Sequence, residues 1–149
     1  MEETEARIAR NSGGQPAGTP LPEIARVIEK VRLHLSGDLQ DFRDVAVDIE
    51  KVAPFARRVY GVAREIPAGE TRTYGEIAEA LNRPGAARAV GHVLGRNPVP
   101  LIIPCHRVLA SDGKLGGFSA YGGQATKARL LTVEGAAFGR WRGQRSLIL

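Results

Sequence analysis

Three prolines fall within seven residues, Pro98, Pro100 and Pro104, inside the otherwise apolar run Asn97-Pro98-Val99-Pro100-Leu101-Ile102-Ile103-Pro104-Cys105-His106-Arg107-Val108. Proline lacks a backbone N–H and fixes φ, so this run cannot be a helix interior. Leu101, Ile102 and Ile103 nevertheless demand burial. The chain must therefore fold its helices around an extended segment that leads straight to its single cysteine, Cys105.

The surrounding sequence supplies those helices. Leu21 to Leu35 sets Ile24, Val27, Ile28, Val31 and Leu35 at helical spacing, and Gly37 ends it. Val45, Val47 and Ile49 alternate within Asp44 to Glu50, which reads as one short strand. Pro54 opens a helix with Phe55, Val59, Val62 and Ile66 on one face, closed by Pro67-Ala68-Gly69. Thr73-Tyr74-Gly75-Glu76 is a capping box starting a helix with Ile77, Ala78 and Leu81 inward. Asn82-Arg83-Pro84-Gly85 breaks it, and helical spacing resumes from Ala86 to Leu94. Val108-Leu109 and Leu115 to Phe118 flank Asp112-Gly113, a hairpin signal. A last helix runs from Thr126 to Glu134 and stops at Gly135.

Two short helices across a tight turn, followed by a hairpin, make a winged helix-turn-helix candidate in a mostly helical α+β chain. Arg88 and His92 share the outer face of the second helix, with Ala87 and Gly91 nearly flush beside them. Small residues there let a helix backbone come close to DNA while Arg88 projects. An ordinary helical hairpin with a solvated arginine has the same pattern. The expected organisation is a tail (1–20), a short N-terminal segment (21–53), a main domain (54–138) and a basic tail (139–149).

Charge and composition narrow the function classes. Residues 1–50 carry ten acids and six bases, whereas 51–149 carry fifteen bases and six acids, and seventeen of all 21 bases are arginine. Arginine suits bidentate phosphate contact, so nucleic acid is the first partner to consider, although a basic soluble surface would read alike. One cysteine excludes a disulfide framework, and His34, His92 and His106 are too scattered to suggest a metal cluster. No run reaches the roughly 20 apolar residues that span a bilayer. MEETEAR lacks the layout of a secretion signal. The expectation is a cytoplasmic protein, nucleoid-associated if prokaryotic, acting as a monomer without cofactor, metal or membrane contact.

A lone cysteine is commonly just a small core hydrophobe. Cys105, however, precedes His106 and Arg107, and a neighbouring imidazole and guanidinium favour the nucleophilic thiolate. On an extended segment the two side chains point to opposite faces, so a water between them would have to carry the proton. The histidine then needs an orienting acceptor, and Glu134 is one of the few acids downstream. Serine-hydrolase, P-loop and H-E-x-x-H patterns are absent.

Pro104-Cys105-His106-Arg107-Val108, preceded by Asn97-Pro98 and by Ala86-Ala87-Arg88-Ala89-Val90-Gly91, resembles the O6-alkylguanine-DNA alkyltransferase family, the methylated-DNA–protein-cysteine methyltransferases. Ile66-Pro67-Ala68-Gly69, Thr73-Tyr74-Gly75-Glu76-Ile77-Ala78 and Lys127…Leu130-Leu131…Glu134-Gly135 extend the likeness over about Pro54 to Ala137. The resemblance implies an alkyltransferase domain behind a reduced N-terminal segment. It implies a partner, duplex DNA containing O6-alkylguanine, bound through the minor groove with the damaged base flipped out and its alkyl group moved irreversibly to the protein's own cysteine.

By the same resemblance Cys105 is the acceptor, His106 deprotonates it through water, and Glu134 holds His106. Asn97 braces the turn into the site. Arg88 enters the stack in place of the flipped base, and Tyr74 presses on the 3′ phosphate. Val108, Phe118 and Ser119 belong to the guanine pocket. The residues fit that chemistry: flipping costs a few kcal/mol of stacking, which an arginine wedge and phosphate contacts can offset. The leaving guanine also needs a proton, for which the Tyr74 hydroxyl is a candidate.

Three departures stand out. The N-terminal part is shorter than the family's usual domain and carries no cysteine for the zinc some members bind. Phe118 stands where tyrosine is common, with Tyr121 a possible substitute, and Ser119 to Thr126 is about two residues long for the pattern. Two other classes compete: a non-catalytic module that senses alkylated bases and recruits repair factors, and a winged-helix regulator. Cys105 argues against the first, and the Ala and Gly surface of the second helix against the other.

Overall fold

A computed structural model describes residues 18–118, 120 and 122–138 of the chain. Ser119, Tyr121 and both expected tails, apart from residues 18–20, lie outside the described residues. The described elements run α1 (Pro22–Leu35), α2 (Pro54–Arg64), β1 (Arg72–Thr73), α3 (Tyr74–Ala80), α4 (Ala87–Leu94), a 3₁₀ turn (Cys105–Arg107), β2 (Val108–Leu109) and α5 (Gly123–Val133).

Local chemistry places the boundaries. Pro54 occupies the first turn of α2, where its missing N–H costs nothing. The capping box at α3 closes in both directions: Glu76 N–H donates to Thr73 Oγ1 at 3.1 Å, and Thr73 N–H to Glu76 Oε2 at 2.6 Å. Helix α3 ends in a Schellman arrangement, with Asn82 at φ 56° and the Arg83 N–H donating to the Ala78 carbonyl. Helix α5 ends the same way around Gly135, φ 71°, with Ala136 N–H on the Leu131 carbonyl. That stop leaves Glu134 as the α5 C-cap.

The core gathers Val59, Tyr60, Ala63 and Ile66 of the α2 region, Ile77, Ala78 and Leu81 of α3, and Val90 and Leu94 of α4 around Ile103, Cys105 and Val108. The apolar run is thus buried as its composition demands, enclosed by the helix-turn-helix. A smaller cluster, Leu109, Leu131 and Ala136, fastens α5 beneath it.

Four expectations need correction. Residues 44–50 form no strand, because nothing runs alongside for Val45, Val47 and Ile49 to pair with; the Arg64 guanidinium donates instead to the carbonyls of Phe42 and Val45. The turn at Asp112-Gly113 forms, with Ala110 N–H on the Lys114 carbonyl, but residues 115–118 do not return as a strand. Val108–Leu109 pairs in parallel with Arg72–Thr73 instead. The extended run gives way at Cys105–Arg107 to one 3₁₀ turn, which rotates successive side chains by about a third of a circle. Finally, α1 does not bury its aliphatic stripe: Ile24, Ile28 and Leu35 are each about half exposed, and the one buried residue of the helix is His34.

Candidate active site

The β1–β2 pair explains how distant residues meet. β1 leads directly into Tyr74, and β2 directly follows Cys105–Arg107, so two hydrogen-bonded residues on each side hold the start of α3 against the cysteine turn. Between them and α4 lies a cavity of about 540 Å³ lined by Tyr74, Ala87, Arg88, Gly91, Leu94, Gly95, Cys105, Gly117 and Phe118. Six residues singled out from the sequence therefore share one concave surface. Arg88 is exposed at it, and Cys105 is 4% exposed.

Behind the cysteine, His106 is fully buried and is not among the cavity-lining residues. Its Nε2 lies 2.9 Å from Glu134 Oε1. An ionised carboxylate only accepts, so Nε2 carries the proton and Nδ1 holds the lone pair of a base. Nδ1 is buried without a hydrogen-bond partner among the described residues. Burial lowers the His106 pKa, although Glu134 pulls in the opposite direction. Burial would raise the Glu134 pKa, but hydrogen bonds from His106 and Arg107 outweigh it and hold the carboxyl far below its ordinary range. Arg107 grips that carboxylate through Nε to Oε2 at 3.0 Å and Nη2 to Oε1 at 2.8 Å.

Asn97 braces the approach to the site. Its Nδ2 donates to the Ile103 carbonyl at 2.7 Å, and its Oδ1 accepts from Val99 N–H at 3.0 Å. The loop so clamped contains Leu101 at φ 73°, a conformation that a branched side chain adopts only under constraint.

Val108 is not among the residues that line the cavity. It is fully buried in the core, and its carbonyl accepts from Lys127. Gly117, Leu94 and Gly95 line the cavity without having been singled out. Two larger omissions are buried polar residues. Lys127 donates from Nζ to the Val108 carbonyl at 2.7 Å and to the Gly117 carbonyl at 3.2 Å, and lies 5.9 Å from the Tyr74 ring centroid. Burial lowers its pKa to about 8 against the upward pull of Cys105. His34 reaches Glu134 from α1 at 2.8 Å. Lys127 enters the sequence reading only within the family likeness and without a role, although its spacing to Leu130, Leu131 and Glu134 puts it on the buried face of α5. His34 carried no such signal, since a histidine on a helix ordinarily faces water.

Fold and site together define a small helix-turn-helix protein with a thiol on the wall of a basic-edged cavity, backed by a histidine–carboxylate pair. Residues 54–136 match the model for the DNA-binding domain of 6-O-methylguanine DNA methyltransferase. The methylated-DNA–protein-cysteine methyltransferase of Mycolicibacterium paratuberculosis is 44% identical over 111 residues, covering 74% of this chain and 65% of that protein. Its Mycobacterium bovis namesake is 43% identical over 117 residues, 78% of this chain and 68% of the other. The crystal structure of Mycobacterium tuberculosis OGT in complex with DNA superposes with a TM-score of 0.70 at 42% identity, covering 74% of this chain and 66% of that one. The chain belongs to the 6-O-methylguanine DNA methyltransferase family, and it spans about two thirds of the length of these relatives.

Among the described residues, no helix is long and apolar enough to cross a membrane.

Proposed function

We propose that this protein reverses alkylation damage directly, moving the alkyl group of O6-alkylguanine in duplex DNA onto Cys105, once per molecule. The observation that carries the reading is the shared cavity: Cys105, Tyr74 and Arg88 face one space of about 540 Å³, with His106 and Glu134 immediately behind the thiol. Arg88 supplies the wedge that fills the gap in the stack, and Ala87 and Gly91 keep the α4 surface low enough for close approach to the minor groove. Phe118 walls the base pocket.

The chemistry is an in-line displacement at the alkyl carbon. His106 Nδ1 takes the thiol proton through a bridging water, the S–C bond forms, and the C–O6 bond breaks. The electrons left on the guanine draw a proton from the Tyr74 hydroxyl, giving neutral guanine. The Tyr74 oxygen regains a proton from solvent and His106 releases the thiol proton to solvent, so the net change is thiol and O6-alkylguanine to thioether and guanine. Glu134 holds the His106 tautomer that makes Nδ1 the base. No step requires a cofactor, because a thiolate placed near a flipped base is sufficiently nucleophilic.

Incubation with a duplex bearing O6-methylguanine, followed by intact mass and peptide mapping, tests this. One added methyl on Cys105 is expected, with Cys105→Ala binding the duplex but gaining nothing. Binding without mass gain in the unmodified protein would remove the transfer reading and leave an alkylation sensor.

A further inference from the structure

Among the described residues the Glu134 carboxylate receives four hydrogen bonds, and one of them comes from outside the catalytic segment. Three are local to the cysteine turn, from His106 and Arg107. The fourth comes from His34, a hundred residues earlier in α1, whose Nε2 lies 2.8 Å from the same Oε1 that faces His106. His34 is fully buried, with the Phe42 ring edge-on at 5.2 Å between centroids.

Its tautomer is set by its other nitrogen. The backbone N–H of Gln40 donates to Nδ1 at 3.0 Å, so that nitrogen carries a lone pair and the proton sits on Nε2, pointing at Glu134. The neutral ring satisfies both partners; a protonated ring would turn an N–H against the Gln40 N–H. The groups facing it are Glu134 directly, His106 and Arg107 across that carboxylate, and on its own helix Lys30, which lies 5.6 Å from the Phe42 ring centroid and pairs with Asp44.

From this geometry we infer that His34 is a positioning residue for alkyl transfer, fixing Oε1 of Glu134 against His106 and so tying the short N-terminal segment to the base that activates Cys105. The inference rests on the transfer reading above. Hydrogen-bonding partners one shell out commonly orient the groups that act. Two consequences follow. Without His34, Oε1 loses one of its three donors, and the carboxylate can shift within the grip of Arg107 away from productive alignment. Whatever carboxylate charge still faces His106 is then shared with one donor fewer, so His106 becomes a stronger base toward solvent protons.

The test compares the full chain with His34→Phe, which keeps the packing but removes the donor, and His34→Gln, whose Nε2 can still donate to Glu134. Single-turnover methyl transfer from an O6-methylguanine duplex is followed as a function of pH, alongside duplex affinity. For His34→Phe, about tenfold slower transfer at saturating DNA is expected, with affinity unchanged and the acid limb of the pH profile moved toward neutrality. His34→Gln is expected to restore the limb. Wild-type rate and an unmoved acid limb in a folded His34→Phe protein would overturn the inference. A loss confined to duplex affinity would overturn it too.

Should His34→Phe fail to fold, long-range ¹⁵N–¹H spectra of the unmodified protein decide. An Nε2–H tautomer at His34 whose signals move when Glu134→Gln is introduced supports the role, and an Nδ1–H tautomer or insensitivity to Glu134 refutes it. Failure of the unmodified protein to methylate Cys105 would instead strike the underlying reading.

Discussion

The ammonium of Lys127, fully buried in α5, donates to the Val108 carbonyl at 2.7 Å and so fastens the strand that leaves the cysteine turn. The same group holds the Gly117 carbonyl of the cavity wall. Lys127→Met keeps the length of the side chain and removes the donor from both carbonyls. A loss of about 1–3 kcal/mol in urea unfolding is expected, the cost of stranding a buried acceptor. Removing a positive charge near Cys105 also raises the thiol's pKa, which the pH dependence of iodoacetamide labelling will show. The sign of the linkage provides a further check. With the folded pKa near 8 and the ordinary value 10.5, the unfolded chain binds more protons between them. The stability difference should therefore move in favour of the unmodified protein across that window.

Arg88 has no ion pair or hydrogen bond among the described residues to lose, because it stands exposed at the cavity mouth. Arg88→Ala is expected to leave folding stability within about 0.5 kcal/mol. Its effect should fall on base flipping: transfer from duplex DNA slows strongly, while reaction with free O6-alkylguanine base is affected far less. Equal losses on both substrates, measured as rate constants for Cys105 modification, would refute the wedge role.

How much of this was legible in the sequence depended on whether a residue's partner was near in the chain. Thr73 and Glu76 satisfy each other three residues apart, and Pro54 needs no partner, so both helix starts could be read directly. Asn97 reaches only six residues to Ile103, and its bracing role was readable with the motif. The alternation of Val45, Val47 and Ile49 misled because strand pattern says nothing about whether a neighbouring strand exists. Val108–Leu109 likewise paired with Arg72–Thr73 across 36 residues instead of folding back on itself. His34 is the extreme case: its partner Glu134 lies a hundred residues away, and the helix buries the flank of its apolar stripe that carries Val27, Val31 and His34 and leaves Ile24, Ile28 and Leu35 about half exposed.

Gly116 is required by Tyr74. A Cβ at position 116 would stand 2.8 Å from the tyrosine hydroxyl oxygen and 3.3 Å from Cε2, and the backbone there has φ +65°. Gly116→Ala thus combines about 1–2 kcal/mol of left-handed strain with displacement of the Tyr74 ring. Transfer should slow at least tenfold, with duplex binding nearly intact. In a Tyr74→Phe background the hydroxyl contact is gone, so the same substitution should cost measurably less. Additive effects in that double-mutant cycle would mean that the two residues do not press on each other.

The buried His106–Glu134 pair sets the acid side of both stability and rate. The His106 pKa is held below its ordinary 6.5, chiefly by burial, and that of Glu134 far below its ordinary 4.5 by its donors. As pH falls through about 6.5, the unfolded histidine takes a proton that the folded one refuses, so stability begins to decline. Below about 4.5 the unfolded glutamate does the same, and the decline steepens until the folded pKa values are reached. Unfolding free energies measured from pH 7 to pH 4 should fall throughout. Glu134→Gln should start about 3–5 kcal/mol lower at pH 7, because Arg107 is left buried without its counter-charge, and should lack the steeper fall below pH 4.5. The rate obeys the same logic: His106 stays neutral at pH values where a solvated imidazole would be charged. The acid fall in methyl transfer should accordingly be centred below the ordinary imidazole value of 6.5, and a fall centred on 6.5 would show that His106 titrates as if exposed.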